Sequence, residues 1–267
     1  MLKSSNFLVG LVSLFVLIGS FTANAQLIDY PKSSFSLVLK SDNGTNGSGV
    51  AYDPAKQLYY TIIAGNSSFP LEVFNSSGKH LFPVAEAGND LRGIWWNKKA
   101  KSLEGNCYGE NGIVKIGLTS TGSPSSSGNT TIFEGSGEVR PTGNSCGVYD
   151  AKKKELYYFE NETFKVFKRK TGALSRKIEP DLTSSERREL NYTSMIYTGI
   201  KRSELGLLDV NARKVYLFNK KTGAKTATIN LPNDAPVSDR FAFSYANGYI
   251  FLFDKDLRTW YGYKITE

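Results

Sequence analysis

One hairpin is written three times in this chain. Val73-Phe-Asn-Ser-Ser-Gly78-Lys79, Val166-Phe-Lys-Arg-Lys-Thr-Gly172-Ala173 and Leu217-Phe-Asn-Lys-Lys-Thr-Gly223-Ala224 each run from an apolar-aromatic strand end through polar residues to a glycine. The glycine supplies the positive φ of a tight turn, and the alternation before it suits a half-buried strand. Ile116-Gly-Leu-Thr-Ser-Thr-Gly122 is a weaker fourth copy. A second repeated unit lies upstream: Gly49-Val-Ala-Tyr-Asp53-Pro-Ala-Lys-Gln-Leu58-Tyr-Tyr matches Gly147-Val-Tyr-Asp150-Ala-Lys-Lys-Lys-Glu-Leu156-Tyr-Tyr. Both read as strand, Asp-led turn, strand.

Four strands per unit give a period of roughly 45 to 50 residues, which is the period of propeller blades. The units cover residues 48–86, 91–135, 145–182 and 191–231. A fifth begins near Arg240 and ends after three strands, at 241–245, 249–254 and 259–265, so residues 35–40 are expected to supply its fourth strand. That pairing of the N- and C-terminal segments closes the ring and removes exposed sheet edges. The expected fold class is therefore all-β, a β-propeller of five four-stranded blades. Six blades or a two-layer β-sandwich are the alternatives, and the sandwich leaves the repeated hairpin unexplained. Residues 184–190 could make one helical turn behind a serine cap, but they fall in a connection between blades and are read as a loop. Residues 120–131, rich in Ser, Gly and Thr, read as a loop between the third and fourth strands of blade two.

The 267 residues are 40% hydrophobic, 22% charged and 13% aromatic, which is globular usage and excludes disordered, collagen-like and polytopic membrane chains. Residues 1–25 read as a signal peptide: Lys3 is the basic start, Phe7 to Ile18 the apolar run, and Ala23-Asn24-Ala25 the cleavage site before Gln26. The apolar run is shorter than the ~20 residues of a spanning helix, so no membrane span is expected. A secreted or periplasmic protein with one domain over residues 26–267 follows. Removing Lys3 lowers the formal charge from +8 to +7. The basic residues are spread through hairpins, as in Lys152-Lys153-Lys154, Lys168-Arg169-Lys170 and Lys220-Lys221, which reads as a soluble surface rather than a nucleic-acid stripe. The expected partner is an extracellular ligand, glycan or protein, and not nucleic acid.

Two cysteines are too few for a disulfide framework or a four-cysteine zinc site, and one histidine excludes chemistry needing more than one imidazole. No Gly-x-Ser-x-Gly elbow, P-loop or His-Glu-x-x-His occurs. No catalytic residue and no cofactor are expected, calcium being the one admissible exception.

The blade units resemble secreted repeat propellers of the NHL and YncE-like kind. Gly49-Val-Ala-Tyr-Asp53-Pro, Leu58-Tyr-Tyr and Val73-Phe-Asn-Ser-Ser-Gly78-Lys79 are similar to an NHL repeat's valine-aspartate-proline strand, tyrosine strand and glycine-lysine turn. The resemblance implies a binding platform or scaffold. The related SMP-30-like branch contains calcium-dependent lactonases, which makes a metal-dependent hydrolase or lactonase the alternative. Val50-Ala51-Tyr52 stands where that branch has a first-strand glutamate.

Connections between blades and loops between second and third strands share one face of a propeller, and the ligand mouth is expected there. The connections carry Asp90-Leu-Arg92, Glu138-Val-Arg140, Glu186-Arg187-Arg188-Glu189 and Asp239-Arg240. A ring of Arg92, Arg140, Arg188 and Arg240 could bind a carboxylate, phosphate or sulfate; each could instead pair with its neighbouring acid. Trp95, Trp96 and Tyr192 are candidates for stacking on a sugar, with core packing as the alternative. Asn66, Asn111, Asn161, Asn211 and Asp256 recur in the second-to-third-strand loops, where their oxygens suit either calcium or ordinary turns. Cys107 and Cys146 lie in adjacent blades, where an oxidising compartment would permit a disulfide and buried free thiols are the alternative. His80 follows a hairpin turn away from the expected mouth and reads as a solvated strand residue.

Overall fold

The computed structural model describes residues 27–109, 112–135 and 141–266. The signal-peptide reading, with its cut near Ala25, lies outside the described residues. Among the described residues no helix is long and apolar enough to cross a membrane.

The repeats fold as five four-stranded antiparallel blades around a central axis, a five-bladed β-propeller. Blade one holds β2 (Asn46–Asp53), β3 (Leu58–Ala64), β4 (Pro70–Asn75) and β5 (His80–Glu86). Blade two holds β6 (Leu91–Asn97), β7 (Ser102–Cys107), β8 (Ile113–Lys115) and β9 (Thr130–Phe133). β10 (Val148–Asp150), β11 (Glu155–Glu160), β12 (Thr163–Lys168) and β13 (Leu174–Ile178) make blade three. Blade four is β14 (Ile196–Tyr197), β15 (Leu205–Asp209), β16 (Lys214–Phe218) and β17 (Lys225–Asn230). Blade five takes β18 (Phe243–Ala246), β19 (Tyr249–Asp254) and β20 (Thr259–Lys264) from the C-terminus and β1 (Ser33–Val38) from the N-terminus. β1 lies antiparallel on β20, with Leu37 opposite Trp260, so the two ends of the chain close the ring.

The middle strands read as continuous apolar runs because a blade is covered on both faces. β3, Leu-Tyr-Tyr-Thr-Ile-Ile-Ala, is buried at every position. Strand alternation sends Tyr59 into the layer shared with blade five and Tyr60 into the layer shared with blade two. Tyr157 and Tyr158 divide in the same way between blades four and two. The core is thus five apolar layers, one per blade interface, rather than one central mass.

Local chemistry fixes the turns. The Oδ1 atoms of Asp53, Asn97 and Asp150 accept backbone N–H groups from Ala55 (2.9 Å), Ala100 (3.1 Å) and Lys152 (2.9 Å), which is the Asx turn the repeat predicts. Gly78 and Gly223 have φ of 80° and 74°, and a Cβ on either would meet a backbone oxygen of the preceding blade, Ser36 O or Glu179 O. The hairpin glycine therefore serves both the turn and blade-to-blade packing. The connection read as a loop contains a one-turn helix, α1 (Ser184–Arg188), whose cap is Thr183, closed by a reciprocal bond with Glu186.

Since each blade is an antiparallel meander, its first-to-second and third-to-fourth turns fall on one side of the disc, the turn face. Second-to-third turns and inter-blade connections fall on the other, the connection face.

Candidate functional site

The innermost strands β2, β6, β10, β14 and β18 enclose a cavity of about 690 Å³, the size of a small-molecule site. Its wall extends to Pro54, Lys98, Lys152, Gly199 and Asn247 in the turns between first and second strands. Among the described residues no second-to-third turn lines it, and the connections contribute only Cys146, Gly147 and Met195 at their ends. At that end Ala64, Cys146 and Phe241 pack together. They come from blades one and three and the approach to blade five, and blade three adjoins neither of the others, so the three meet across the axis. Asn191 holds this plug by donating to Phe241 O (2.8 Å) and Ser238 O (2.9 Å). The cavity therefore opens on the turn face, and the expected mouth on the connection face is corrected.

Every inner strand brings an aromatic side chain to this mouth. Tyr52, Trp96, Tyr149, Tyr197 and Tyr245 each occupy the last or last-but-one paired position before the turn, and all line the cavity. Each leans toward the preceding blade. Trp96 stacks on Tyr60 at 6.3 Å, Tyr149 lies 6.1 Å from Trp95, and Tyr197 lies 6.2 Å from Tyr157. Trp95 and Trp96 point to opposite blade interfaces and both reach the wall. The shared position was visible in two repeats, Ala-Tyr52-Asp and Val-Tyr149-Asp. In Trp-Trp96-Asn, Ile-Tyr197-Thr and Ser-Tyr245-Ala only the aromatic itself is common, so Tyr197 and Tyr245 were missed, while Tyr52, in a visible repeat, was read as a strand residue and not as part of a mouth.

Lys98, Lys152, Lys201 and Lys220 stand at the rim, with Asp150 and Glu204. Lys220 pairs with Asp150 and donates to the Tyr197 hydroxyl at 3.1 Å. Burial alone would raise Asp150, but the Lys220 ammonium and the Lys153 N–H hold its pKa below the usual carboxylate value. Burial pushes Tyr245 up to about 12 and raises Tyr197 further. At neutral pH the rings are uncharged hydroxyl-bearing faces, and the Asp150 charge is spent on Lys220. Lys98, Lys152 and Lys201 are exposed and have no ion-pair partner among the described residues.

The wall is braced from behind by Glu104, fully buried, which accepts from Trp95 Nε1 (3.1 Å), Asn97 Nδ2 (2.9 Å), Ser102 Oγ (2.9 Å) and both arms of Arg169 (2.6 and 2.5 Å). Arg169 comes from the third-to-fourth turn of blade three, so this knot ties that turn to the inner half of blade two.

The remaining candidates lie elsewhere. Arg92 pairs with Asp90 (2.8 Å) and covers the Tyr108 ring at 4.4 Å, within the connection face. Arg188 and Arg240 are exposed on that face and do not line the cavity, and Arg140 lies outside the described residues. Tyr192 stacks on Phe159 at 5.7 Å, also on the connection face. Asn66 accepts from Ser68 within its own turn, Asn161 takes a positive φ in a tight turn, Asn211 bonds Glu189, and Asp256 donates its N–H to Asp254. Asn111 lies outside the described residues. Among the described residues no group of three His, Cys, Asp or Glu side chains is placed to hold a metal ion. Cys107 and Cys146 are buried free thiols rather than a disulfide, and burial pushes each up to about 12. His80 is not solvated as expected: its Nε2 lies 2.9 Å from the buried Glu72 carboxylate and its ring meets Phe74 edge-on.

No protein-family model matches the chain, and no curated protein matches its sequence. Its fold is similar to that of a glutaminyl cyclase from Myxococcus xanthus, with a TM-score of 0.56 and 11% identity over 91% of this chain and 98% of that one. A chain of a nidogen/laminin complex is similar at a TM-score of 0.47 and 13% identity, over 85% of this chain and 84% of that one. At such identities the likeness concerns the fold alone.

Proposed function

We propose that this propeller is an exported, non-catalytic binding module that receives a ring-bearing anionic ligand, an acidic sugar unit, at the turn-face mouth. The observation that carries the reading is the coincidence of an aromatic from every blade with unpaired lysines at one open cavity. A pyranose ring packs its C–H face on Tyr or Trp, and a carboxylate or sulfate finds Lys98, Lys152 or Lys201 at the rim. The repeat resemblance to NHL and YncE-like platforms favours the same reading. Against a catalytic role, Asp150 is committed to Lys220, and Glu204, the other carboxylate in the wall, accepts the Lys220 backbone N–H at 3.2 Å.

Titration calorimetry with a galacturonate trimer and its neutral galactose counterpart tests this. The acidic trimer is expected to bind and the neutral one to bind about tenfold or more weakly, with Trp96→Ala and Tyr197→Ala each weakening the acidic trimer by a similar factor. Equal binding of both trimers contradicts the reading. So does calcium-dependent lactone hydrolysis, or cyclisation of a peptide with N-terminal glutamine, by the purified chain.

A further inference from the structure

The two faces of the disc carry opposite charge. In the first-to-second turns, blade one exposes Lys56, blade two Lys98, Lys99 and Lys101, and blade three Lys152, Lys153 and Lys154. Blade four adds Lys201 and Arg202. The third-to-fourth turns on the same side expose Lys79, Lys168, Lys170 and Lys221. No aspartate or glutamate is exposed in these turns: Asp53 and Asp150 are buried at their roots, the first holding its own turn and the second paired with Lys220. The connection face is the converse, exposing Asp42, Glu162, Asp181, Glu189, Asp234 and Asp239 among others against few basic side chains. Contacts confirm that the two sets of turns adjoin: Arg169 N donates to Lys154 O at 3.1 Å, and Lys220 reaches Asp150.

We infer that the turn face is a docking surface for an acidic polysaccharide chain, with the lysine ring holding the chain and the central mouth its end. The second clause rests on the function proposed above; the first rests only on the charge asymmetry. Three features select this partner among polyanions. The exposed basic groups are almost all lysines, mobile point charges, whereas phosphate-reading and nucleic-acid surfaces favour the planar fork of arginine. No large apolar side chain is exposed in these turns: Val38, Val84, Tyr108, Tyr192 and Leu257 lie elsewhere, and Tyr30, on the N-terminal approach to β1 at the edge of blade five, stands alone, so no apolar cluster is available to insert into a bilayer. The aromatics are gathered at the centre and suit one stacked terminal unit rather than a run of bases.

The test measures binding of the chain to immobilised polygalacturonate at about 0.05 M and about 0.3 M salt. Duplex DNA and vesicles of phosphatidylcholine with about 30% phosphatidylserine are run alongside. Long polygalacturonate is expected to bind, to weaken about tenfold or more at the higher salt, and to weaken comparably when Lys98, Lys152, Lys153 and Lys201 are changed together to Glu. Charge reversal of three lysines away from this face, Lys40→Glu, Lys177→Glu and Lys255→Glu, is expected to leave binding within about twofold. All variants are surface changes, and unchanged melting points verify that they fold. Loss of trimer binding with retained polymer binding would remove the mouth's role and leave the docking face. Equal losses in the two lysine sets, or tighter binding to DNA or vesicles than to polygalacturonate, would overturn the inference.

Discussion

Glu104 ties four side chains together behind the mouth. It is enclosed completely and serves Trp95, Asn97, Ser102 and Arg169 at once. Glu104→Ala leaves a half-buried guanidinium and an indole N–H without acceptors, which costs about 3 to 5 kcal/mol and lowers the melting point by roughly 10 °C. Differential scanning calorimetry checks it; a shift under about 2 °C would mean the knot is dispensable. Asp150 and Glu155 give a pH signature. The bonds from Arg176 to Glu155, and from Lys220 and Lys153 to Asp150, hold both folded pKa values below those of the unfolded chain, about 4.3 and 3.9. Their stabilisation is complete above those values and is lost as pH falls through the folded ones, so the melting point should fall on acidification below about pH 4. Asp150→Asn with Lys220→Met should flatten that fall; an unchanged acid limb would show that other groups control it. Of these partners the sequence revealed only Asp150, as a turn residue. Ion pairs such as Arg169 with Glu104 join residues far apart in the chain and leave no local pattern.

The hairpins were the most legible elements because their signal is local. Alternation, an Asx residue and a glycine all fall within one turn, and strand boundaries followed from them. The short inner strands β10 and β14, and helix α1, were harder to place, since two or three paired residues carry no period and the cap of α1 lies one residue before the serine that suggested it. The glycines separate two effects that a sequence cannot. Gly248, at φ 85°, has open space where a Cβ would go, while Gly223, at φ 74°, faces Glu179 O. Gly248→Ala should cost only the conformational penalty of about 1 to 2 kcal/mol. Gly223→Ala should cost clearly more, because the collision is with the backbone of the neighbouring blade. Equal losses in chemical denaturation would show that blade spacing tolerates the extra atom.

What the residue-by-residue reading could not reach was which face carries the lysines and the mouth. The exposed lysines of these turns, scattered from position 56 to 221, look dispersed along the chain, yet a five-bladed meander delivers all turns of that parity to one side. The same geometry moved the mouth. Arg92 and Arg240 were legible as a repeated feature, but Phe241 and Cys146 close the axis beneath them, and the aromatics collect at the opposite end. The most direct measurement of this arrangement is intrinsic fluorescence during titration with the galacturonate trimer. The chain has three tryptophans: Trp260 is sealed in a blade interface, Trp95 is buried, and Trp96 is half-buried at the mouth. Ligand entry at the turn face should change the emission of the native protein and of Trp260→Phe, should lose most of that change in Trp96→Phe, and should be indifferent to Arg92→Ala with Arg240→Ala. A response that survives Trp96→Phe and disappears with the two arginines would place the ligand on the connection face and contradict the account.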